Sequence, residues 1–429
     1  MDLIINGGKR KLLGEITVPG DKSISHRSII LGALSNGTTM VENILVAEDT
    51  KRTINCFRDM GVNIDEEGDR IIVEGVGLQG LDKPKGMLDC GNSGTTMRLL
   101  SGILIGQSFA TTLTGDESLT QRPMDRIIIP LRKMGGYIHG IEDRFPPLDI
   151  RPSDNGLNSI SYELPVASAQ VKSSILLATL YGKGTTRIIE KKETRDHTER
   201  MLEYFGANIY HRDGVIYMES GSPLEGKDIY VPGDMSSAAY FIVAGLLIEG
   251  SHIVIRNVNI NPTRTGIIDV LKEMGASIRI TNRRIKNREP IGDIEVKNST
   301  LRGIKIDGDI VGTLIDEIPI IAIAAALSKG RTIIRDVEEL RYKECDRIKA
   351  IYNELKKMGA VIEELSDGLI IQGRENLRPA NLDSYKDHRI AMALSIAALT
   401  AEGKSRIKNH ESINISYPNF YKTLSKLSQ

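Results

Sequence analysis

The chain has 429 residues, and its 56 Lys plus Arg balance its 56 Asp plus Glu, so the formal net charge is zero. This length allows two or three domains with sizeable cores, and the balanced charge gives no global reason to expect a nucleic acid or a membrane surface as a partner. The longest apolar runs are too short to span a bilayer, and the N-terminal "MDLIINGGKRK" lacks the order of a signal peptide. Three cysteines without a CxxC pair and seven scattered histidines predict a metal-free protein of the reducing cytoplasm.

In chain order, six segments run from a polar start through an apolar, helix-like stretch to a glycine near its end. They read "DKSISHRSIILGALSNG", "GNSGTTMRLLSGILIG", "SAQVKSSILLATLYGKG", "DMSSAAYFIVAGLLIEG", "DEIPIIAIAAALSKG" and "DHRIAMALSIAALTAEG". Their closing glycines, spaced by 66 to 80 residues, are Gly37, Gly106, Gly184, Gly250, Gly330 and Gly403. A helix that is apolar on nearly every face is buried on all sides. The segments therefore predict six buried helices, one in each copy of a unit of about 70 residues.

A second series of segments alternates with the first and combines an amphipathic pattern with a glycine. Five copies place this glycine at Gly61, Gly135, Gly206, Gly275 and Gly359. Each copy predicts a surface helix, a glycine C-cap and a new strand. A sixth copy would place its glycine near residue 428. The N-terminal segments "DLIING" and "GEITVPG" are expected to supply the strands that the last repeat lacks.

The repeats predict an α/β fold, because each unit mixes helix with strand. We expect two domains of three repeats each, with the three buried helices of a domain inside a wall of sheet. The tetrapeptide "VPGD" occurs at 18–21 and again at 231–234, which marks the crossovers. The predicted domains are residues 1–19 plus 233–429, completed by the N-terminus, and an inserted domain of residues 20–232.

The polar starts of the buried helices carry most of the side chains that could do chemistry. A helix N-terminus presents unpaired N–H groups and the positive end of a dipole, so it attracts anions. Four of the six starts add cations, which are Lys22, Arg27, Arg98, Lys172, Lys386 and Arg389. The alternative is that the Ser, Asn and Asp residues there only cap their helices. If the starts converge between the two domains, they predict a site for a phosphate or a carboxylate.

Three other patterns contain residue types that could do chemistry. "GVGLQG" fits the glycine spacing of a dinucleotide site, but Pro84 stands where the required helix must begin. Cys345 has no histidine nearby in sequence, which favours a structural thiol over a nucleophile. "RYKECDR" is either a solvated charged face or presents Arg347 to an anion and Glu344 as a proton donor.

Taken together, eight motifs in this order resemble the 5-enolpyruvylshikimate-3-phosphate synthases over essentially the whole chain. The motifs are "GDKSISHR", "GNSGTTMR", "QRPM", "SAQVKS", "TRDHTERML", "DEIP", "KECDR" and "DHRIAM". The resemblance implies a two-domain inside-out α/β barrel with three βαβαββ-like repeats per domain. It also implies transfer of the enolpyruvyl group of phosphoenolpyruvate to the 5-hydroxyl of shikimate 3-phosphate, by a monomer that needs no metal or organic cofactor.

The same resemblance assigns roles to residues of this sequence. The residues implied for shikimate 3-phosphate are Lys22, Ser23, Arg27, Ser168, Ala169, Gln170, Arg195, Asp316 and Lys343. Those implied for phosphoenolpyruvate are Lys22, Gly94, Arg122, Gln170, Arg347 and Arg389. The catalytic set is Asp316 as the base for the 5-hydroxyl, Glu344 as the acid for the methylene carbon, and Lys22. Both domains are expected to contribute to one cleft.

Two departures and two alternatives accompany this interpretation. Ile415 stands where many members carry a lysine, and Glu339 where some have Asn, which leaves a phosphate contact and a contact on the shikimate side in doubt. The nearest alternative is the sister enzyme that transfers enolpyruvyl to UDP-N-acetylglucosamine. That enzyme typically carries a reactive cysteine before an Arg-Pro, whereas "GDESLTQRPM" has none. The other alternative is a non-catalytic scaffold that binds an anionic partner.

Overall fold

The computed structural model of the protein describes residues 2–8, 11–68 and 70–428. Two compact units divide these residues. The discontinuous unit contains residues up to Pro19, Pro232–Ile285 and the residues from Pro290 onward. The inserted unit contains Gly20–Val231 together with Lys286–Glu289.

The described residues form helices and strands that alternate along the chain. The α-helices are α1 (Lys22–Leu34), α2 (Glu48–Asp59), α3 (Gly94–Leu104), α4 (Glu117–Thr120), α5 (Asp125–Lys133), α6 (Ala169–Thr179), α7 (His197–Tyr204), α8 (Met235–Leu247), α9 (Gly266–Glu273), α10 (Ile318–Ala326), α11 (Arg347–Lys357), α12 (His388–Thr400) and α13 (Phe420–Leu427). The β-strands are β1 (Leu3–Gly7), β2 (Leu13–Thr17), β3 (Asn36–Glu42), β4 (Asn63–Glu67), β5 (Arg70–Val76), β6 (Leu88–Asp89), β7 (Thr111–Thr114), β8 (Tyr137–Ile141), β9 (Phe145–Arg151), β10 (Ser161–Glu163), β11 (Thr185–Ile189), β12 (Ile209–Arg212), β13 (Val215–Glu219), β14 (Ile229–Tyr230), β15 (His252–Asn259), β16 (Ser277–Lys286), β17 (Glu289–Lys297), β18 (Lys305–Ile306), β19 (Arg331–Ile334), β20 (Val361–Leu365), β21 (Gly368–Gln372), β22 (Asn381–Asp383) and β23 (Gly403–Lys408). Short 3₁₀ turns lie at Pro262–Arg264, Gly308–Thr313, Ile315–Glu317, Glu338–Tyr342 and His410–Ile415.

The inserted unit contains three four-stranded sheets built to one plan. Their strand orders are β14-β3-β5-β4, β6-β7-β9-β8 and β10-β11-β13-β12. In the second and third sheets, the short strand before the buried helix pairs in parallel with the strand after it. The remaining two strands form an antiparallel hairpin. A parallel pair needs a crossover connection, and here the buried helix supplies it.

The first and fourth repeats exchange their short strands. β14 pairs in parallel with β3 in the inserted unit, and β2 pairs in parallel with β15 in the discontinuous unit. Each exchanged strand is followed by one copy of "VPGD", whose aspartate caps the next helix: Asp21 accepts from the Ile24 N–H, and Asp234 from the Ser236 N–H. The repeated tetrapeptide therefore lies where each exchanged strand leads into its buried helix.

The discontinuous unit contains the sheets β16-β17-β15-β2, β18-β19-β21-β20 and β1-β23-β22. The expectation that "DLIING" completes the last repeat is confirmed, because β1 pairs antiparallel with β23. The expectation for "GEITVPG" was wrong, because β2 joins the fourth repeat instead. The two N-terminal strands therefore serve different repeats.

The predicted buried helices and the predicted surface helices differ in how much of their surface is buried. All of α10 is buried, and α1, α3, α6, α8 and α12 are buried on nearly every turn. In contrast, α2, α5, α7, α9 and α11 bury one face only. Their closing glycines, Gly61, Gly135, Gly206, Gly275 and Gly359, all have φ between 82° and 105°, the left-handed C-cap that glycine adopts without strain. The predicted two-domain α/β repeat fold is confirmed. No helix within the described ranges is long and apolar enough to cross a membrane.

Candidate active site

In the inserted unit, the start of α1 carries the first predicted cations. The Asp21 side chain caps the helix, and Lys22 follows as its first residue. The Lys22 Nζ lies 2.8 Å from Oδ2 of Asp49, the second residue of α2. Ser23, the next predicted ligand, is half-buried. The ion pair holds Lys22 at the end of the helix where an anion is favoured.

Arg27, one turn further along α1, is buried with neutral hydrogen-bond acceptors. Its guanidinium donates to Thr198 Oγ1 at 2.6 Å, to Ser173 Oγ at 2.7 Å and to the Ser23 carbonyl at 2.9 Å. Burial lowers the pKa of Arg27 to about 10, although Glu199 opposes the shift, so the side chain stays charged at neutral pH. Arg195, which lies before α7, also lowers this pKa through its own charge. A buried cation with neutral partners can offer its charge to an anionic ligand.

The starts of α3 and α6 are linked by Gln170. Its Oε1 accepts from Arg98 at 2.6 Å, and its Nε2 donates to Thr95 Oγ1 at 3.0 Å. Ser168 caps α6 through the Val171 N–H, and Ala169 is the first residue of that helix. The structure therefore brings these predicted residues to the two neighbouring helix starts.

Gly94 opens α3 beside two arginines. A Cβ at Gly94 would lie 3.0 Å from Nη1 of Arg98 and 3.7 Å from Nη1 of Arg122. Arg122 is oriented by Asn92 Oδ1 at 2.7 Å and Ser118 Oγ at 3.0 Å. The missing side chain at Gly94 leaves room beside both guanidinium groups.

In the discontinuous unit, Asp316 lies in the 3₁₀ turn Ile315–Glu317 directly before α10. Carboxylates at a helix start predict that Asp316 and Glu317 cap α10, and this prediction is wrong, since no side chain caps α10. Capping uses the N–H of the second or third helical residue, and Pro319, the second, has none. Oδ1 of Asp316 instead lies 3.5 Å from Nη1 of Arg347, and Oδ2 lies 3.6 Å from Nη2 of Arg389.

Arg347, the first residue of α11, is surrounded by carboxylates although it is only 1 % exposed. It lies 2.8 Å from Oδ2 of Asp387 and 2.6 Å from Oε2 of Glu344, in addition to Asp316. Burial opposes the charge of Arg347, but these three carboxylates raise its pKa well above the ordinary value. One guanidinium thus holds both carboxylates that the sequence singled out.

Arg389 lies in the first turn of α12 and contacts the same turn as Asp316. Its Nη1 donates to the Asp316 carbonyl at 3.1 Å and lies 3.7 Å from Oε1 of Glu317. Lys343, half-buried before α11, pairs with Glu339 at 3.1 Å. Glu339 stands where some relatives have Asn, so this departure gives a charged partner to Lys343, a predicted ligand.

Asp387 is a residue of these clusters that the sequence prediction missed. Asp387 caps α12 through the Arg389 and Ile390 N–H groups and also binds Arg347. Its place in "KDHR" is typical of a cap, and only the fold reveals the second role. Lys172, which was predicted among the helix-start cations, is buried between Glu190 and Glu199, at 2.8 and 2.6 Å.

Among the described residues, the three cysteines and the His, Asp and Glu side chains form no second reactive or metal-binding site. Cys56 and Cys90 are buried, and burial raises the pKa of the Cys345 thiol, whose Sγ lies 3.8 Å from Oδ2 of Asp387. A thiol with a raised pKa is a poor nucleophile. Within the described ranges, no group of three or more His, Cys, Asp or Glu side chains is placed to hold a metal ion.

Comparison with known proteins shows which family the chain resembles. A protein 53% identical over 419 residues, spanning 98% of both chains, is the 3-phosphoshikimate 1-carboxyvinyltransferase of Thermoanaerobacter sp. (strain X514). The solved EPSP synthase of Acinetobacter baumannii superimposes with a TM-score of 0.89 at 44% identity, covering 100% of this chain and 98% of that one. The enolpyruvyl transferase NikO of Streptomyces tendae, at 18% identity and a TM-score of 0.80 over 100% of this chain and 98% of its own, shares the fold. The family model described as EPSP synthase (3-phosphoshikimate 1-carboxyvinyltransferase) matches residues 7–424. The chain therefore belongs to the EPSP synthase family.

Proposed function

We propose that the chain transfers the enolpyruvyl group of phosphoenolpyruvate to the 5-hydroxyl of shikimate 3-phosphate. The products are 5-enolpyruvylshikimate 3-phosphate and phosphate, in the pathway to chorismate and the aromatic amino acids. Full-length identity to 3-phosphoshikimate 1-carboxyvinyltransferases supports this reaction over transfer to a UDP-sugar. The observation that carries it is that Asp316 and Glu344 share the buried Arg347. The protein acts as a cytoplasmic monomer without a cofactor.

Shikimate 3-phosphate is bound by the helix starts around Arg27. Lys22, Ser23, Ser168, Ala169, Gln170 and Arg195 complete the set from the inserted unit. Support comes from the neutral partners of Arg27 and from the starts of α1 and α6, since the first N–H groups of a helix have no partner within it. Asp316 and Lys343 act on the hydroxyl that reacts.

Phosphoenolpyruvate is bound by arginines, which grip carboxylates and phosphates through forked hydrogen bonds. Its ligands are Lys22, Gly94, Arg122, Gln170, Arg347 and Arg389. Arg122 and Gln170 are already oriented by Asn92 and Thr95, which supports their role because less freedom is lost on binding. Of these ligands, Lys22, Gly94, Arg122 and Gln170 lie in the inserted unit, and Arg347 and Arg389 lie in the discontinuous unit.

The reaction proceeds by addition and elimination. Glu344 donates a proton to C3 of phosphoenolpyruvate, and Asp316 accepts the proton of the 5-hydroxyl, whose oxygen attacks C2 to give a tetrahedral intermediate. Glu344 then takes a proton back from C3 as the C2–O bond to phosphate breaks. The proton held by Asp316 leaves with the phosphate, which balances the reaction.

The pairing of Glu344 with Arg347 sets a condition on this mechanism. A guanidinium at 2.6 Å favours the ionised carboxylate, whereas the addition step needs Glu344 protonated. The carboxylate of phosphoenolpyruvate competes with Glu344 for Arg347. Substrate binding thereby releases Glu344 to take up a proton, which ties the acid to the presence of its substrate.

The test is release of phosphate from phosphoenolpyruvate, with shikimate 3-phosphate or UDP-N-acetylglucosamine as the acceptor. We expect release only with shikimate 3-phosphate. Phosphate release only with the UDP-sugar would mean that the chain catalyses the sister reaction instead. Release with neither acceptor would leave a binding scaffold.

A further inference from the structure

Glu317 is a buried carboxylate next to the proposed base that the mechanism above does not use. It ends the 3₁₀ turn Ile315–Glu317 and is 1 % exposed. A buried carboxylate is costly unless other groups compensate its charge. Capping does not explain why Glu317 lies at this helix start, because no side chain caps α10.

The partners of Glu317 come from two other helix starts of the same unit. Ser236, in the first turn of α8, donates a short hydrogen bond to Oε1 of Glu317. Behind Ser236, the buried Arg264 donates to its Oγ at 2.7 Å and to Oδ1 of Asp234 at 3.0 Å. Oε1 also faces Nη1 of Arg389 at 3.7 Å, while Oε2 is buried without a hydrogen bond. The hydroxyl fixes one carboxylate oxygen beside Arg389.

Arg389 faces two carboxylates with different duties. Asp316 gains a proton when it acts as a base, so its charge is lost during the reaction. If Asp316 were the sole counter-charge, the buried Arg389 would lose its electrostatic partner in each turnover. Glu317 is placed so that Arg389 keeps a negative neighbour throughout.

We propose that Glu317, held by Ser236, is the positioning residue that keeps Arg389 directed at phosphoenolpyruvate while the charge of Asp316 changes. This role rests on the proposed function. Glu317 does not touch the reacting atoms and acts through Arg389. Loss of Glu317 should therefore weaken the binding of phosphoenolpyruvate, without the loss of all activity that unfolding would cause.

The test compares Glu317→Gln with a matched control, Glu354→Gln. Glu354 is also fully buried in the discontinuous unit, but it binds Lys357 and Tyr385, which have no proposed role. We expect Glu317→Gln to raise KM for phosphoenolpyruvate on the order of tenfold, the effect of losing a charged partner. KM for shikimate 3-phosphate should change less than about twofold in the same variant.

A second variant covers the case in which Glu317→Gln does not fold. Ser236→Ala keeps the carboxylate but removes its hydrogen bond, and it should raise KM for phosphoenolpyruvate about threefold. An unchanged KM in the folded variant, or a change that Glu354→Gln reproduces at equal thermal stability, would overturn the role of Glu317. Wild-type protein without turnover on the two substrates would instead overturn the proposed function, and this inference with it.

Discussion

The two units hold their buried arginines in opposite ways. Arg27 in the inserted unit donates to two hydroxyls and a carbonyl, whereas Arg347 in the discontinuous unit is enclosed by three carboxylates. Neutral partners leave a cation available to an anionic ligand, while carboxylate partners are groups that can exchange protons. The two units are built from repeats of one plan, yet their buried arginines have different partners. Under the proposed mechanism, one unit supplies mainly binding charge, and the other supplies the acid and the base.

A second contrast lies in the buried polar networks. In the inserted unit, His26 Nδ1 contacts Thr53 Oγ1 at 2.7 Å, and Thr53 contacts Thr96 at 2.7 Å, which donates to Ser93 at 2.8 Å. This chain of neutral groups joins α1, α2 and the start of α3. In the discontinuous unit, the corresponding helix starts are joined by ion pairs. Four predictions test whether the division holds.

The largest effect should come from removing the proton-transfer groups. Asp316→Asn and Glu344→Gln should each lower kcat by at least about 10²-fold, the lower range for acid–base catalysis, with small changes in KM. Steady-state kinetics at saturating substrates measure this. Glu338→Gln, an exposed carboxylate in the same stretch as Glu344, serves as the control and should keep its rate. A near-normal kcat in both active-site variants would remove the chemical role of the discontinuous unit.

Next in size is the loss of binding charge. Arg27→Gln should raise KM for shikimate 3-phosphate by roughly ten- to a hundredfold, because a hydrogen bond to a charged group contributes about 1.5–3 kcal/mol. At saturation, kcat should fall much less than in the Asp316 and Glu344 variants. Arg187→Gln, exposed on a strand of the same unit, is the matched control. A loss confined to kcat would reverse the assigned duties of the two units.

A smaller effect should follow from filling the space at Gly94. The added methyl of Gly94→Ala would meet Nη1 of Arg98 at 3.0 Å, so that side chain must shift. We expect KM for phosphoenolpyruvate to rise roughly fivefold, as mild overpacking predicts. Gly86→Ala, where a Cβ meets nothing within 4 Å, should behave as wild type. Equal behaviour of the two variants would argue against a ligand beside Gly94.

The smallest effect concerns stability and pH. Burial lowers the pKa of His26 from 6.5 to about 3, so below pH 6.5 the unfolded chain binds a proton that the folded protein refuses. Stability therefore falls as the pH falls between 6.5 and 3, by up to about 1.4 kcal/mol per pH unit. Urea unfolding at pH 7.5 and pH 5 should show wild type losing about 2 kcal/mol relative to His26→Gln. His211 is exposed, so His211→Gln should lose as much stability between pH 7.5 and pH 5 as wild type. An equal loss of stability in His26→Gln would contradict a buried His26 that stays neutral.

The sequence predicted the fold well because its signals are local. A helix that is apolar on every face, such as α10, is predicted to be buried. The closing glycines predict helix ends, because they adopt the left-handed conformation that a C-cap needs. The strand exchange was not predictable, because β2 and β14 both precede the same tetrapeptide and nothing local states which strand each will join.

For the candidate site, the sequence predicted residue types and neighbourhoods better than partners. Asp316 was singled out, but neither it nor Glu317 caps α10, where Pro319 lacks one of the two N–H groups that a cap can use. Asp387 was overlooked and Glu317 was predicted only as a helix cap, since each resembles an ordinary helix-start residue until folding brings Arg347 or Ser236 against it. Roles that depend on contacts distant in sequence need the fold.

The most direct test of the division of labour follows deuterium into the methylene group of the product. Protonation of C3 makes a transient methyl group, so turnover in D₂O should place deuterium in 5-enolpyruvylshikimate 3-phosphate, measured by mass spectrometry. We predict a rate of deuterium incorporation that stays near the wild-type value in Arg27→Gln at saturating shikimate 3-phosphate and is at least about 10²-fold lower in Glu344→Gln. Incorporation by Glu344→Gln at the wild-type rate would contradict the assignment of proton transfer to the carboxylates around Arg347.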